Sequence, residues 1–481
     1  MLLIILGMWL VGAEAFQPRV AWPIWLWVFF FGYVLLVLWV AVWARVTSWQ
    51  VVGDDLQRNL RRLNRVTRLA RWAVPVWLAF GLFGGAGWAQ LVLALTGTRL
   101  QLPGILLGTL PAILAWVGLW WAEYPVDRAL REQSILNELT ADLPLHMLPG
   151  LGRFLRVTFR QQLLPVVLPV LLIVLLRDVI VLIGGKHISG AQEDIVILPA
   201  ALAVYLASPE ILRRIFDARP MEQTPLRRRL EEICRGSGLR YRDILLWRTD
   251  FSIANAAVIG ILPRWRYVLL SDRLLETMSD EQIEAVFAHE LGHIVHRHML
   301  WFVVFFAILT LGAIVAGNFL DRWLATHLPA KYQTEHYANL INLIGGGAAF
   351  MTMLVLFGML SRRFERQADV FAARMMECNW GPETQEEKRG RGFGHRRFSV
   401  GQRGSAIFCS ALHRVAVVNN IPLRAKDWFH PSIAKRMNYL EQLSEDPTRT
   451  GEFDRVMGRL YVGLIVALVV CGVLVAVVNR V

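Results

Sequence analysis

Along this chain, apolar runs long enough to cross a membrane alternate with polar segments rich in arginine. A helix needs about 20 apolar residues to cross the hydrocarbon. The runs 22–43, 72–96, 103–121, 163–183, 301–320, 340–360 and 460–478 come near that length. A shorter run, 195–207, is counted as an eighth crossing because the distribution of charge requires it. The run 2–13 is too short to span. Ala13-Glu14-Ala15 behind it resembles a signal-peptide cleavage site, but the basic residues that should precede the apolar core are missing. The expected fold is mostly α, a multi-pass transmembrane helical bundle.

Two long polar segments interrupt the pattern, 208–300 and 361–459, with a hairpin of two spans, 301–360, between them. In the first, 222–236 reads as a helix. Asp243–Trp247 and Tyr267–Leu270 read as short strands on either side of FSIANAAVIGIL. Ser279 followed by Gln282 has the spacing of a capping box, which opens a helix through HELGH. The expected organisation is a membrane region at 1–207, two half-domains at 208–300 and 361–459, and a C-terminal anchor at 460–481. The stretch 379–404 has neither helical nor strand period and is read as an insertion.

Charge orients this arrangement. The net charge of +13 comes from arginine, 46 Arg against 5 Lys. The loop 44–71 carries Arg45, Arg58, Arg61, Arg62, Arg65, Arg68 and Arg71, so it is predicted to be cytoplasmic. With eight crossings, 122–162, 208–300 and 361–459 fall on the same side and are also arginine-rich. The opposite loops 97–102, 184–194 and 321–339 hold only Arg99, Lys186, Arg322 and Lys331. The basic residues lie between apolar runs rather than in an aromatic-interleaved patch, which argues against nucleic acid as a partner. The four cysteines are far apart and form no CxxC, so neither a disulfide framework nor a zinc knuckle is indicated.

The candidate chemistry lies in FAHELGHIVHRHM, 287–299. HELGH fits H-E-x-x-H. Four residues apart on a helix, His289 and His293 project from one face about 6 Å apart, and both can bind one zinc. Glu290 sits about 100° around the helix, beside the ligands, where it can act as general base toward water. His298, nine residues after His289, is predicted to face about 180° away. His296 shares the face of His289 but is about 10.5 Å further along the axis, too far for the same metal. Both are read as the basic end of the helix where it meets the membrane.

A further ligand has to return to the same side of the membrane. SRRFERQADVFAARMM follows the hairpin and offers Glu365 and Asp369 four residues apart on a predicted helix. Glu365 can complete a His₂Glu site, and Asp369 can fix a ligand histidine by hydrogen bonding. The competing reading is a solvated, salt-bridged helix face. Next to HELGH, and with the topology matched, the metal-site reading is preferred.

HELGH, a two-span hairpin, RRFERQADVFA and a late His-Pro pair together resemble the HtpX and type I CAAX prenyl protease family. These are membrane zinc endopeptidases of gluzincin type, with HExxH and ExxxD signatures. The resemblance covers roughly 205–445 and implies a cytoplasmic-side α+β zinc protease domain split by the transmembrane hairpin. It implies one Zn2+ per chain. It further implies that Asn255 and Ala256 in FSIANAAVIG hold an extended substrate, and that His430 and Arg436 in WFHPSIAKRM stabilise the oxyanion. Substrates would be membrane-associated polypeptides at the lipid bilayer. Quality-control cleavage is preferred over maturation of lipidated C-termini, because nothing in the sequence reads as a prenyl-specific pocket. A catalytically silent membrane scaffold is disfavoured by the intact His289, Glu290, His293 and Glu365. Oligomeric state is left open.

Overall fold

The computed structural model describes residues 23–50, 56–83, 87–97, 99–140, 148–184, 191–327, 335–379, 399–419, 421–425 and 430–478. The apolar segment 2–13, the Ala13-Glu14-Ala15 motif and most of the expected insertion (380–398) lie outside the described residues. The chain divides into two compact units. One is Met1–Arg219 with Trp247–Phe251 and Gly260–Trp265; the other is Pro220–Leu246, Ser252–Ile259 and Arg266–Val481.

The first unit is helical: α1 (Pro23–Trp49), α2 (Leu56–Phe83), α3 (Trp88–Thr96), α4 (Gln101–Thr140), α5 (Leu151–Thr158), α6 (Leu164–Gly184) and α7 (Ala191–Ile215). A π-helical turn at Phe159–Leu163 joins α5 to α6. Phe29, Leu78, Ile105 and Leu119 are fully buried where α1, α2 and α4 pack. Lipid offers no hydrogen-bond partners, so polar groups here must find them within the protein. Trp77 Nε1 donates to the Phe29 carbonyl at 2.8 Å, and Trp88 Nε1 to the Gly108 carbonyl at 2.9 Å. Asp178 of α6 caps α4, accepting from the backbone N–H of Gln101 (3.1 Å) and Leu102 (2.8 Å). The neighbouring Arg177 balances its charge at 2.9 Å.

The second unit holds the predicted strands. A four-stranded sheet runs in the order β1-β2-β4-β3, with β1 Arg219–Pro220, β2 Asp243–Trp247, β3 Ala256–Ile259 and β4 Tyr267–Ser271. β3 is the outer strand, antiparallel to β4 from Ala256↔Leu270 to Ile259↔Tyr267. The helices are α8 (Pro225–Gly236), α9 (Asp272–Thr277), α10 (Asp280–Val295), α11 (His298–His327), α12 (Glu335–Asn379), α13 (Gln402–Val418), α14 (Ile433–Glu445) and α15 (Pro447–Val478). One apolar core, including Phe287, Leu291, Phe364, Phe408 and Leu440, binds α10, α12, α13 and α14 together.

Six helices among the described residues are long and apolar enough to cross a membrane: Ile24–Trp49, Gln101–Gln133, Leu151–Gly184, His298–Leu324, Gly345–Glu377 and Pro447–Val477. They coincide with six of the eight expected runs. The seventh, 72–96, is divided between α2, which ends at Phe83, and α3, which begins at Trp88; residues 84–86 are outside those described. The eighth, 195–207, lies within α7, which contains Pro199 and Pro209. Its apolar stretch is bounded closely by Glu193 and Asp194 on one side and by Glu210, Arg213 and Arg214 on the other.

Candidate metal centre

The motif helix α10 starts where the sequence places it. Ser279 Oγ accepts from the Gln282 N–H at 3.4 Å, and Gln282 Oε1 accepts from the Ser279 N–H at 3.2 Å, closing the capping box. The acidic Asp280 and Glu281 in the first turn suit the positive end of the helix dipole. One turn apart, His289 and His293 bring their Nε2 atoms to 3.3 Å. Glu365, on α12, faces both: Oε2 is 3.7 Å from His289 Nε2, and Oε1 is 3.6 Å from His293 Nε2. One ligand atom from each of the three lies within 4.8 Å of the other two. Two imidazole nitrogens and a carboxylate converging this closely form a donor set that fits a metal ion.

The glycine of HELGH makes this approach possible. A Cβ on Gly292 would sit 3.0 Å from Ala368 Cα and 3.2 Å from the Phe371 ring. The bare backbone therefore lets α10 lie close against α12, one turn beyond Glu365.

Asp369 supports the first of these candidate donors, His289. Its Oδ1 is 3.0 Å from His289 Nδ1, so Nδ1–H donates to the carboxylate and Nε2 keeps its lone pair toward Glu365. Arg436 of α14 holds the same carboxylate with Nε to Oδ2 at 2.9 Å and Nη2 to Oδ1 at 2.5 Å, while its Nη1 is 3.8 Å from Glu365 Oε2. His430 Nε2 reaches Glu365 Oε1 at 3.5 Å. Burial is the largest single effect on His289 and works against its charge, but the hydrogen bond and charge of Asp369, with the charge of Glu365, together raise the ring's pKa. For His293, burial and the neighbouring His289 act together and hold it down to about 2, a neutral ring. Loss of hydration pushes Glu290 up to about 7 against the opposing pull of His289.

His296 and His298 correct the sequence reading. The helix does not run on into the membrane span: Arg297 takes φ +55, and α11 begins at His298. That break cancels the rotation of 100° per residue on which the expectation rested. His298 turns inward, is 1% exposed, and stacks on Phe364 with centroids 4.3 Å apart and planes 3° from parallel. Its Nδ1 lies 2.8 Å from His293 Nδ1, and its Nε2 is 3.0 Å from Gln367 Oε1. His296 packs against the edge of Phe371, and burial, helped by Arg374, holds it down to about 4. Neither forms a basic helix end. The spacing H-x₄-H in HIVHRH was the available signal, and it becomes meaningful only once the helix is known to break between the two histidines.

Asn255 and Ala256 sit at the start of the outer strand β3, which packs against α10. The Asn255 N–H donates to Ser271 Oγ at 2.9 Å, and its carbonyl accepts from the Ser271 N–H at 3.0 Å. The residue before them is held by an amide that the sequence reading did not single out. Asn419, at the end of α13, accepts from the Ala254 N–H and donates to the Ala254 carbonyl, both at 2.9 Å.

Residues 220–444 match the profile of peptidase family M48. That range contains HELGH, ERQAD, the outer strand and Arg436. This part of the chain is a peptidase family M48 domain. It is thus a metalloprotease, with helices fit to span a membrane. A protease HtpX homolog from Aeropyrum pernix is 23% identical over 275 residues, covering 51% of this chain and 84% of that protein. A CAAX prenyl protease 1 homolog from Arabidopsis thaliana is 28% identical over 184 residues, 36% of this chain and 42% of that one. The chain spans about half the length of several other curated HtpX relatives that it matches. The crystal structure of S. mikatae Ste24p is similar at a TM-score of 0.46 and 16% identity, over 88% of this chain and 100% of that one.

Proposed function

We propose that the protein is a zinc endopeptidase that hydrolyses peptide bonds of membrane-associated polypeptides. The observation that carries this reading is the convergence of one ligand atom each from His289, His293 and Glu365 within 4.8 Å, with Glu290 adjacent in sequence to the first. A His₂Glu set leaves room for water and substrate at a Zn2+ ion, one per chain. Zinc bound there supplies Lewis acidity, lowering the pKa of a water and polarising the scissile carbonyl. Every proton is then moved by this chain's own groups. Glu290, raised toward neutrality by burial, takes a proton from the attacking water and passes it to the leaving amine. His430 reaches over Glu365 and is the donor we assign to the developing oxyanion. Arg436 has its fork occupied by Asp369 and lies near Glu365, so we assign it to hold these carboxylates rather than the oxyanion.

Substrate is held by strand addition. β3 is the outer strand of the sheet and packs on the helix that carries HELGH. An extended peptide pairing with Asn255 and Ala256 would be read through its backbone and only loosely through its side chains. The arginine-rich loops favour the cytoplasmic side for both halves of the catalytic region. Removal of damaged membrane proteins is the preferred role. Maturation of lipidated C-termini is the second reading, favoured by the similarity to a CAAX prenyl protease 1 homolog.

Substrate trapping tests this reading. Glu290→Gln, expressed in native membranes, is expected to keep its metal, lose cleavage and accumulate bound polypeptides. A varied set of misfolded membrane proteins supports quality control, and lipidated C-termini support maturation. Cleavage by Glu290→Gln at the wild-type rate, in a preparation free of other proteases, would sink the mechanism.

A further inference from the structure

The two ligand histidines are supported by chemically different partners. His289 rests on a carboxylate, Asp369, which is held in turn by Arg436. His293 turns its Nε2 toward His289 and Glu365, so its Nδ1 faces away from the site, 2.8 Å from His298 Nδ1. A lone pair on His293 Nε2 requires the hydrogen on Nδ1, and that hydrogen is donated to His298 Nδ1. With Nδ1 accepting, His298 carries its own hydrogen on Nε2 and donates it to Gln367 Oε1 at 3.0 Å. The same oxygen accepts from the Tyr461 hydroxyl at 2.5 Å. Each link thus sets the direction of the next, and the tautomers of both histidines follow from the acceptor at Gln367.

The relay is built as a rigid unit. His298 and Gln367 are buried, and Phe364 lies flat against the His298 ring. Trp301 stacks on Tyr461 at 4.4 Å. The left-handed Arg297, φ +55, gives His298 its inward direction, a conformation that is rare for a residue with a side chain. Such strain persists where surrounding contacts over-determine it, and a group fixed at a working site is one reason for it. Tyr461 lies on α15, beyond the residues 220–444 that match the peptidase family.

We propose that His298, Gln367 and Tyr461 form a positioning relay that fixes the tautomer and aim of His293, making the C-terminal helix part of the metal site. This rests on His293 being a ligand, as assigned above. Because the relay is neutral, it holds the second histidine without adding a buried negative charge to a site that already contains Glu365, Asp369 and Glu290. Losing a partner that orients a ligand typically weakens metal binding about 10–100-fold.

The test uses full-length protein in detergent, stripped of metal, with zinc affinity measured by competition with a chromophoric chelator. Tyr461→Phe deletes one oxygen and keeps the ring on Trp301; Gln367→Met removes the acceptor at similar volume. Gln367→Met is expected to weaken zinc binding roughly 10–100-fold. Tyr461→Phe, one link further out, is expected to weaken it by about the lower figure or less. Both should alter the visible spectrum of the cobalt-substituted protein while leaving the melting temperature of the stripped protein close to wild type. Wild-type zinc affinity together with an unchanged cobalt spectrum in both variants overturns the relay. If Gln367→Met does not fold, Tyr461→Phe decides alone by the same two readouts. If His293→Ala binds zinc as tightly as wild type, the ligand assignment fails, and the relay falls with it.

Discussion

Arg436 holds Asp369 in a two-bond fork, Nε to Oδ2 at 2.9 Å and Nη2 to Oδ1 at 2.5 Å; Asp369 is buried and the Arg436 side chain is only 11% exposed. The carboxylate also takes the Nδ1 hydrogen of His289. Arg436→Met would leave that carboxylate buried with its strongest partner gone. Breaking a buried pair in this way costs about 3–5 kcal/mol. The expected outcome is a clear drop in the melting temperature of the purified protein, together with weaker metal retention during dialysis against a chelator. Arg436→Lys should fall between, because an ammonium cannot reproduce the planar fork. A variant that melts and retains metal like wild type would mean that Asp369 does not depend on Arg436.

Gly292→Ala tests whether the closeness of two helices sets the site. Helix propensity alone favours alanine by about 1 kcal/mol. The added Cβ, however, would meet Ala368 Cα at 3.0 Å and Phe371 at 3.2 Å, pushing α10 away from the helix that carries Glu365. Overpacking of this kind costs about 1–3 kcal/mol. We expect weaker metal binding in chelator competition. Gly312→Ala is the control, since a Cβ there meets nothing within 4 Å and should leave affinity unchanged.

Much of this site could be read before any coordinates. H-E-x-x-H carries its geometry in its spacing, and Glu365 and Asp369 carry theirs. Glu365 returns to His293 after 72 residues in sequence, by way of the two long apolar helices α11 and α12. His298 was misplaced because one left-handed residue, Arg297, undoes a helical phase that periodicity can only extend. An expected span is divided between α2, which ends at Phe83, and α3, which begins at Trp88, for a related reason: hydropathy counts apolar residues and does not register where a helix stops. Asn419 was invisible for another reason. Its partner, Ala254, is a backbone, 165 residues away in sequence, and an amide at the end of a helix has no pattern that names such a contact.

Asn419→Ala would release that backbone. Both amide groups of Asn419 bind Ala254, immediately before the strand assigned to hold substrate. Two hydrogen bonds of about 1 kcal/mol each are lost. A looser strand should raise KM for an unfolded model substrate several-fold, with a smaller effect on kcat and with normal metal content. Measured KM equal to wild type would separate Asn419 from substrate binding.

The acidity of Glu290 gives a prediction about stability as well as rate. Burial raises its carboxyl to about 7, whereas an unfolded glutamate titrates near about 4.3. Below the unfolded value both states hold the proton and nothing is lost. Between the two values the unfolded chain has released its proton and the folded one has not, so stability falls as pH rises until the folded carboxyl ionises. Glu290, the base we propose, is therefore a liability to the fold at neutral pH, and replacing it should relieve the protein. In metal-stripped protein, Glu290→Gln is expected to melt higher than wild type at pH 8 and close to wild type at pH 4. A bound dication pulls the carboxyl down again, so the acid limb of kcat/KM in the loaded enzyme should have its midpoint below 7, with the active, ionised form on the alkaline side. Paired melting curves at the two pH values decide the first point: an equal offset at both would show that Glu290 is not held protonated by its surroundings.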